Sequence, residues 1–258
     1  GVELWHGGAS VMNRTTRVAP LSPSGIPWMA THVGFMGNLR PKTMDKQDIK
    51  NVLRWQAEGA RKARTAGFDI VYVYAGMGYL GYEFLLPEYN HRIDEYGGSI
   101  AERMRYPLEI FDAIRAVWPK EKPMSVRISA SDWTPDGITL EDIITMSIMF
   151  REHGVDMVDV STGQTDPSSK PVYGRLYQTP FSELVRIEAK VPTITVGNIQ
   201  SYGDVNSIIA AGRADLCALA RTHLYDPYWT RHAAAEQGYQ MRWPNQYISV
   251  SRFVPRMK

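Results

Sequence analysis

One arginine within a short apolar segment has a position that suggests chemistry. Arg127 alternates with apolar neighbours in residues 125–129. A permanent cation on the inner side of a packed sheet costs free energy unless it is paired. We therefore expect either a bound anion or an electron-rich ring beside Arg127, or an ion pair with a nearby carboxylate such as Asp159.

A second arginine and a Gly-Asn pair have the composition of a phosphate site. Gly197 and Asn198 precede a helix that we predict to begin at Ser201, and Arg221 closes the next apolar segment. Backbone N–H groups at a helix N-terminus and the guanidinium fork both bind phosphate oxygens. The spacing predicts phosphate binding by these residues. The alternative is that Gly197 is only a turn and that Arg221 forms a surface ion pair.

Four further side chains lie at or just after predicted strand ends. Tyr74, Met77 and Tyr79 share one strand-to-loop segment, and His6 ends the first predicted strand. A phenol can donate a proton or a hydrogen bond, and an imidazole can act as an acid, a base or a ligand. The alternatives are that the tyrosines only line a cavity mouth and that His6 only makes a structural hydrogen bond.

Composition and absent motifs exclude several classes of function. Among 258 residues, 29 Lys and Arg against 27 Asp and Glu give a net charge of +2, which is too small to indicate nucleic-acid binding. The sequence has no HExxH, G-x-S-x-G or Walker motif, so we predict no metal site. The single Cys217 excludes an internal disulfide and a four-cysteine iron–sulfur cluster within this chain, and it favours a reducing cytoplasm. No run of about 18 apolar residues is present, so we predict no membrane span.

A repeated order of helix, glycine and buried strand positions these residues. Gly67, Gly154 and Gly212 each end a predicted helix, and a short apolar segment follows each one. Glycine suits the left-handed turn that closes a helix, and such segments are typical of strands buried on both faces. Consecutive βα units predict an α/β fold with a parallel sheet. The predicted strands are residues 2–6, 69–74, 124–129, 157–161, 193–197 and 216–221.

Helices are predicted between these strands and after the last one. Asp45 caps the first helix, and Ser99 opens a helix that continues through Val117. The remaining helices are predicted at residues 140–153, 180–189, 201–211 and 226–237. No linker or low-complexity segment interrupts the pattern, so we expect one domain over residues 1–258. A closed (β/α)8 barrel needs eight strands; the chain is therefore either an open six-stranded sheet or a barrel that lacks two units before Gly1.

A long motif after the second predicted strand resembles that of a known family. Residues 84–87 (FLLP), residues 90–99 (NHRIDEYGGS) and Arg103 are similar to the signature that follows the fourth strand in the old yellow enzyme family. Members are FMN-dependent oxidoreductases with a TIM-type (β/α)8 barrel. Residues 2–8 resemble the family's third strand and residues 214–221 its eighth. The resemblance implies a flavin-binding barrel domain with only six βα units, the family's strands 3 to 8, that is N-terminally incomplete.

The resemblance also implies roles for individual residues. Arg127 matches the arginine that contacts the flavin pyrimidine edge, Gly197 and Asn198 match the phosphate loop, and Arg221 matches the phosphate arginine. Tyr79 matches the tyrosine that donates a proton to the substrate carbon in members that reduce alkenes.

Two positions depart from the family pattern. The usual substrate-binding pair is His-x-x-His or His-x-x-Asn, and Tyr74 and Met77 stand there. Tyr74 is similar to the amine dehydrogenase branch, whereas residues 123–132 and 170–181 resemble members that process aromatic acyl-CoA compounds. We expect Tyr74 and Tyr79 to be catalytic and His6 and Met77 to lie in the substrate pocket.

The leading interpretation is an FMN oxidoreductase that moves hydride between flavin N5 and a small-molecule substrate. The substrate is an amine or an activated unsaturated or aromatic carbonyl compound, and NAD(P)H is a candidate electron donor. One alternative is a catalytically impaired or non-catalytic barrel that belongs to a larger flavoenzyme. Another is a different phosphate-binding barrel, such as an isomerase. A homo-oligomer and a larger flavoenzyme assembly are both compatible with the sequence.

Overall fold

A six-stranded, wholly parallel sheet forms the centre of the computed structural model, which describes residues 1–11, 17–27, 40–135, 137–163, 165–166 and 168–250. Its strands lie side by side in chain order, as consecutive βα units require. The predicted parallel α/β architecture is therefore confirmed. The six strands are β1 (Val2–Leu4), β4 (Val71–Ala75), β5 (Met124–Ser129), β6 (Met157–Ser161), β7 (Thr193–Val196) and β8 (Leu216–Ala218).

A second, two-stranded sheet was not predicted. Strands β2 (Leu21–Ser22) and β3 (Lys42–Thr43) pair in parallel. Both are only two residues long, so they carry too few side chains for a hydrophobic period to be visible.

Four of the described α-helices begin at side-chain caps that the sequence contains. Helix α1 (Lys46–Thr65) begins after Asp45, whose side chain accepts hydrogen bonds from the backbone N–H groups of Gln47 and Asp48. Ser99, Thr139 and Ser201 form the same type of capping box at three further helices. The other helices are α2 (Leu80–Glu83), α3 (Ile100–Arg103), α4 (Arg105–Arg115), α5 (Leu140–Glu152), α6 (Thr179–Glu188), α7 (Tyr202–Ala210), α8 (Arg221–Tyr225) and α9 (Trp229–Glu236).

Several predicted boundaries were wrong; the first strand, for example, was predicted to reach His6 but β1 ends at Leu4. The helix from Ser99 to Val117 is interrupted between α3 and α4, because Pro107 has no N–H to donate to the carbonyl of Arg103. The last strand was predicted to reach Arg221, but β8 ends at Ala218 and Arg221 is the first residue of α8.

The two faces of the sheet differ in polarity. Side chains alternate between faces along each strand. On one face the valines and isoleucines are almost fully buried beneath the helices; these residues include Val71, Val73, Val126, Ile128, Val158 and Val160. The opposite face carries polar side chains that share a register across the strands; these are Glu3, Tyr72, Tyr74, Ser125, Arg127, Asp159 and Ser161.

The sheet is open within the described residues. Strands β1 and β8 form its two edges and do not pair with each other. Helices α8 and α9, at the β8 edge, bury no residue completely. None of the described helices is long and apolar enough to cross a bilayer.

Truncating the buried face of the sheet should destabilise the fold. Ile128 is fully buried in the main hydrophobic core. We expect Ile128→Ala to lower the free energy of unfolding by about 2–5 kcal/mol, because transfer and cavity terms add. The control Leu224→Ala removes an exposed leucine from α8 and should change it by less than about 0.5 kcal/mol. Urea denaturation followed by circular dichroism measures both; equal effects would contradict this assignment of the core.

Candidate functional site

One cavity of about 700 Å³ lies at the carboxyl ends of the strands from β5 to β8. Ligands of parallel α/β proteins bind at this edge of the sheet. Five of the eight predicted site residues line the cavity, and they come from separate parts of the chain. These are Met77, Arg127, Gly197, Asn198 and Arg221.

Arg127 lines the cavity and also lies within ion-pair distance of two carboxylates. Its Nη1 lies 3.4 Å from Oε1 of Glu3 and 3.7 Å from Oδ2 of Asp159. Its Nε donates to the Ser161 hydroxyl at 3.4 Å, and its guanidinium lies 5.6 Å from the centre of the Tyr74 ring. The alternative of an ion pair with Asp159 is therefore present, and Arg127 lines the cavity as well.

Arg221 differs from Arg127 in forming no ion pair with a carboxylate of the described residues. Its guanidinium makes no hydrogen bond or salt bridge with the part of the chain that the structure describes, and its side chain is exposed. The surface ion pair considered as its alternative is therefore not formed among those residues. The neighbouring Thr222 donates from its hydroxyl to the carbonyl of Ile199 at 2.9 Å, which holds the start of α8 against the loop after β7.

The loop after β7 turns sharply at Gly197. The φ angle of Gly197 is +115°, and a Cβ there would lie 2.6 Å from Nε2 of Gln178 and 2.8 Å from a ring carbon of Tyr177. Only glycine fits this position without moving the cavity wall. The side-chain amide of Asn198 donates to the carbonyl of Gly174 at 2.9 Å. Asn198 therefore ties two loops together with its side chain.

Two of the three remaining predicted residues, Tyr74 and Tyr79, form one cluster with Met77. The Tyr74 hydroxyl donates to Sδ of Met77 at 3.0 Å, and the ring of Tyr79 packs against those of Tyr74 and Trp5. Burial raises the pKa of the Tyr74 phenol, so this residue remains a proton donor. Met77 thereby connects the aromatic cluster to the cavity that it lines.

His6 lies at a separate, much smaller cavity that Tyr74 also lines. The backbone N–H of Gly8 donates to Nδ1 of His6 at 3.1 Å. Burial lowers the pKa of His6, and this bond needs an unprotonated Nδ1. The geometry matches the structural hydrogen bond that was the alternative for His6, and its place in the substrate pocket stays a prediction.

Sequence reasoning missed several cavity residues that do not follow strands. Tyr177 and Gln178 precede α6, and Tyr225 and Trp229 belong to α8 and to the start of α9. Gln178 accepts from the Thr162 hydroxyl at 2.6 Å and donates to the carbonyl of Val196 at 2.8 Å, which joins the ends of β6 and β7. No short-range motif marks these positions, because the contacts form only when the strands align.

Comparison with known proteins identifies the class of this chain. The family described as NADH:flavin oxidoreductase / NADH oxidase matches residues 1–240. Fold and family match together define a flavin-dependent oxidoreductase built on a (β/α)8-type barrel, of which this chain forms six consecutive units. The chain belongs to the NADH:flavin oxidoreductase / NADH oxidase family, and the resemblance to the old yellow enzyme family is confirmed.

Individual relatives differ in how much of their length the chain spans. It is 42% identical to an NADPH dehydrogenase of Geobacillus thermodenitrificans over 98% of this chain and 71% of that protein. Histamine dehydrogenase from Rhizobium sp. 4-9 has a TM-score of 0.81 at 26% identity, over 92% of this chain and 34% of that one. The 6-hydroxypseudooxynicotine amine oxidase of Pseudomonas geniculata N1 has a TM-score of 0.80 at 29% identity, over 90% and 35%. The chain thus spans about a third of these two solved structures.

The cavity residues fit the flavin nucleotide that this family implies. Arg221 offers an unpaired cation for a phosphate, and glycine at position 197 lets the backbone approach closely. Arg127 lines the same cavity, with Glu3 and Asp159 beside its guanidinium. Two arginines and a turn that only glycine fits suit a phosphorylated ring compound.

The burial of His6 predicts its titration. We expect the His6 imidazole to titrate below its ordinary pKa of 6.5. Because the folded-state pKa is lowered, His6 contributes stability that is present above about pH 6.5 and is lost as the pH falls through the folded pKa. The pH dependence of the His6 Cε1–H signal in NMR, assigned with His6→Gln, measures this. A midpoint at or above 6.5 would contradict the proposed hydrogen bond.

Proposed function

We propose that this chain binds FMN in the large cavity and is the catalytic part of an old yellow enzyme-type oxidoreductase. The observation that carries the proposal is the pair of cations, Arg127 and Arg221, lining one cavity at the strand ends. FMN, when bound, supplies the hydride chemistry. The protein supplies binding, orientation and charge. In this proposal residues 1–258 form one flavin-binding domain, of which the family match covers residues 1–240.

Arg221 and the turn at Gly197 and Asn198 bind the phosphate. Arg221 forms no ion pair among the described residues, so its donors are available to an incoming anion. The side chain of Asn198 is engaged with Gly174, so Asn198 contributes its backbone N–H to the phosphate rather than its amide.

Arg127 faces the ring of the cofactor and supplies a counter-charge there. Its guanidinium is held by residues from three neighbouring strands, Glu3, Tyr74 and Asp159. A positioned cation stabilises negative charge that develops nearby without reorganising during the reaction.

Tyr74, Met77 and Tyr79 set the substrate class. A thioether sulfur is a weak acceptor and has no proton to donate, so Met77 cannot hold a carbonyl oxygen by a strong hydrogen bond. The phenol groups of Tyr74 and Tyr79 are the proton donors in this part of the site, and Tyr79 is the proposed donor to the substrate carbon. We propose an amine or an electron-poor unsaturated compound as substrate, with NADPH as the electron donor in the second case, since the relatives at 42% identity are NADPH dehydrogenases.

A flavin-binding barrel with impaired catalysis is the second candidate. It is favoured by one observation: the Tyr74 hydroxyl is already bonded to Met77 rather than free for substrate. Turnover with an artificial electron acceptor distinguishes the two candidates, because only the first transfers electrons from substrate.

We further propose a cytoplasmic protein with small-molecule partners, which fits the lone Cys217, and an assembly with further copies or domains.

FMN binding by the full chain tests the phosphate assignment. We expect flavin absorption bands in the purified or reconstituted wild type, and weaker binding in Arg221→Ala. One charge-assisted hydrogen bond contributes about 1.5–3 kcal/mol, so the Kd should increase by roughly 10- to 100-fold. Quenching of FMN fluorescence on titration measures the Kd.

Arg61→Ala is the matched control, because it removes the same charge from the exposed side of α1. It should leave the Kd unchanged. Equal affinity of wild type and Arg221→Ala would remove the phosphate role, and a wild-type chain that never binds FMN would refute the proposed function.

A change at Met77 tests the substrate side of the proposal. We expect Met77→His to bind para-substituted phenols and to produce a long-wavelength charge-transfer band, because an imidazole N–H can hold the phenolate oxygen over the flavin. Met77→Leu, which is equally unable to donate, should show no band. Visible difference spectra measure both. Absence of the band in Met77→His would mean that more than one residue distinguishes this pocket.

A further inference from the structure

Asp159 is a deeply buried carboxylate near the proposed flavin site, and only one of its two oxygens has a partner. Its side chain is 6% exposed, and Oδ1 has no hydrogen-bond partner among the described residues. Its Oδ2 lies 3.7 Å from Nη1 of Arg127. A buried carboxylate with one unsatisfied oxygen is costly in its charged form.

The same arginine atom serves a second carboxylate. Nη1 of Arg127 lies 3.4 Å from Oε1 of Glu3, whose side chain is 37% exposed. One guanidinium thus faces two carboxylates, and the three groups sum to −1 when all are ionised. Water screens the charge of Glu3 better than that of Asp159, because Glu3 is the more exposed of the two. Asp159 is therefore the carboxylate of this pair at which a proton is most readily gained.

No hydrogen-bond donor reaches Oδ1 of Asp159 among the described residues. On the β5 side lies Arg127, whose charge lowers the pKa of Asp159, whereas Glu3 of β1 raises it; Asp159 in turn raises the pKa of Tyr72 and Tyr74 of β4. On the β7 side its register partner is Ile194, which has no polar side-chain atom. Burial raises the pKa of Asp159 to about 6, and the Arg127 guanidinium opposes that shift.

We propose that Asp159 is a positioning residue that takes up a proton when negative charge arrives at Arg127. New negative charge beside the guanidinium competes with Asp159 for the same cation, and a proton on Oδ1 removes that competition. Arg127 then interacts with the incoming charge alone. This inference rests on the proposed function only where the incoming charge is that of reduced FMN.

The proton balance gives the proposal a measurable form. Reduction of bound FMN to its anionic form takes two electrons and one proton; uptake by Asp159 adds a second proton from solvent. For a two-electron couple a tenfold change in proton concentration shifts the potential by about 30 mV per proton. The midpoint potential should therefore fall twice as steeply with pH where Asp159 gains a proton as where it does not.

The first experiment needs no flavin. Infrared difference spectra of the full chain between pH 5 and pH 8 should show the carbonyl stretch of a protonated buried carboxyl. We expect Asp159→Asn to lose this band. Glu3→Gln should keep it with a lower midpoint, because removing a negative neighbour eases ionisation. Arg127→Gln should move the midpoint upward, because Asp159 loses its cation, and this result does not depend on how well Asp159→Asn folds.

The second experiment measures the midpoint potential of the FMN-loaded chain between pH 6 and pH 8. Wild type and Glu3→Gln should show about twice the slope of Asp159→Asn. Equal slopes, or an infrared band that survives in Asp159→Asn, would overturn the role of Asp159. A chain that shows the band but never loads FMN would refute the proposed function and leave the carboxyl assignment intact.

Discussion

Holding one arginine on the polar face of a parallel sheet is the constraint on which the site depends. Arg127 cannot lose its charge, so the surrounding strands must supply partners for it. β1 provides Glu3, β4 provides the Tyr74 ring, and β6 provides Asp159. The parallel register sets Tyr74, Arg127 and Asp159 in one row across the sheet. A shift of one residue in any of these strands would turn its member of the row toward the helices.

The two cations of the cavity are therefore not equivalent. Arg127 is embedded beside two carboxylates, Glu3 and Asp159, whereas Arg221 stands at the start of α8 and forms no ion pair within the described chain. The anionic group of a ligand would be drawn to Arg221 rather than to Arg127, whose charge is already shared with two carboxylates. This difference arises from secondary structure, since one arginine is in the middle of a strand and the other begins a short helix.

Local sequence signals predicted the elements well, and long-range contacts account for what they missed. The helix caps at Asp45 and Ser99 and the repeated order of helix, glycine and apolar strand act over a few residues, so they are visible in the sequence. The bond between Tyr74 and Met77 depends on the turn that joins them, and the contact of Gln178 with β6 and β7 depends on the alignment of distant strands. Neither arrangement has a pattern along the chain. The resemblance supplied site positions that spacing alone left open.

The backbone at Met77 limits which side chains this position can accept. Its φ angle is +52°, and its N–H is held by the Ser129 hydroxyl at 2.8 Å, so the left-handed conformation is fixed by the neighbouring strand. Asn and His tolerate this conformation better than most residues, whereas β-branched residues are strongly disfavoured there. The family's usual His or Asn thus satisfies a steric rule as well as a chemical one. For directed evolution, few residue types are therefore suitable at position 77. In a saturation library, Val, Ile and Thr variants will strain this turn rather than change substrate specificity.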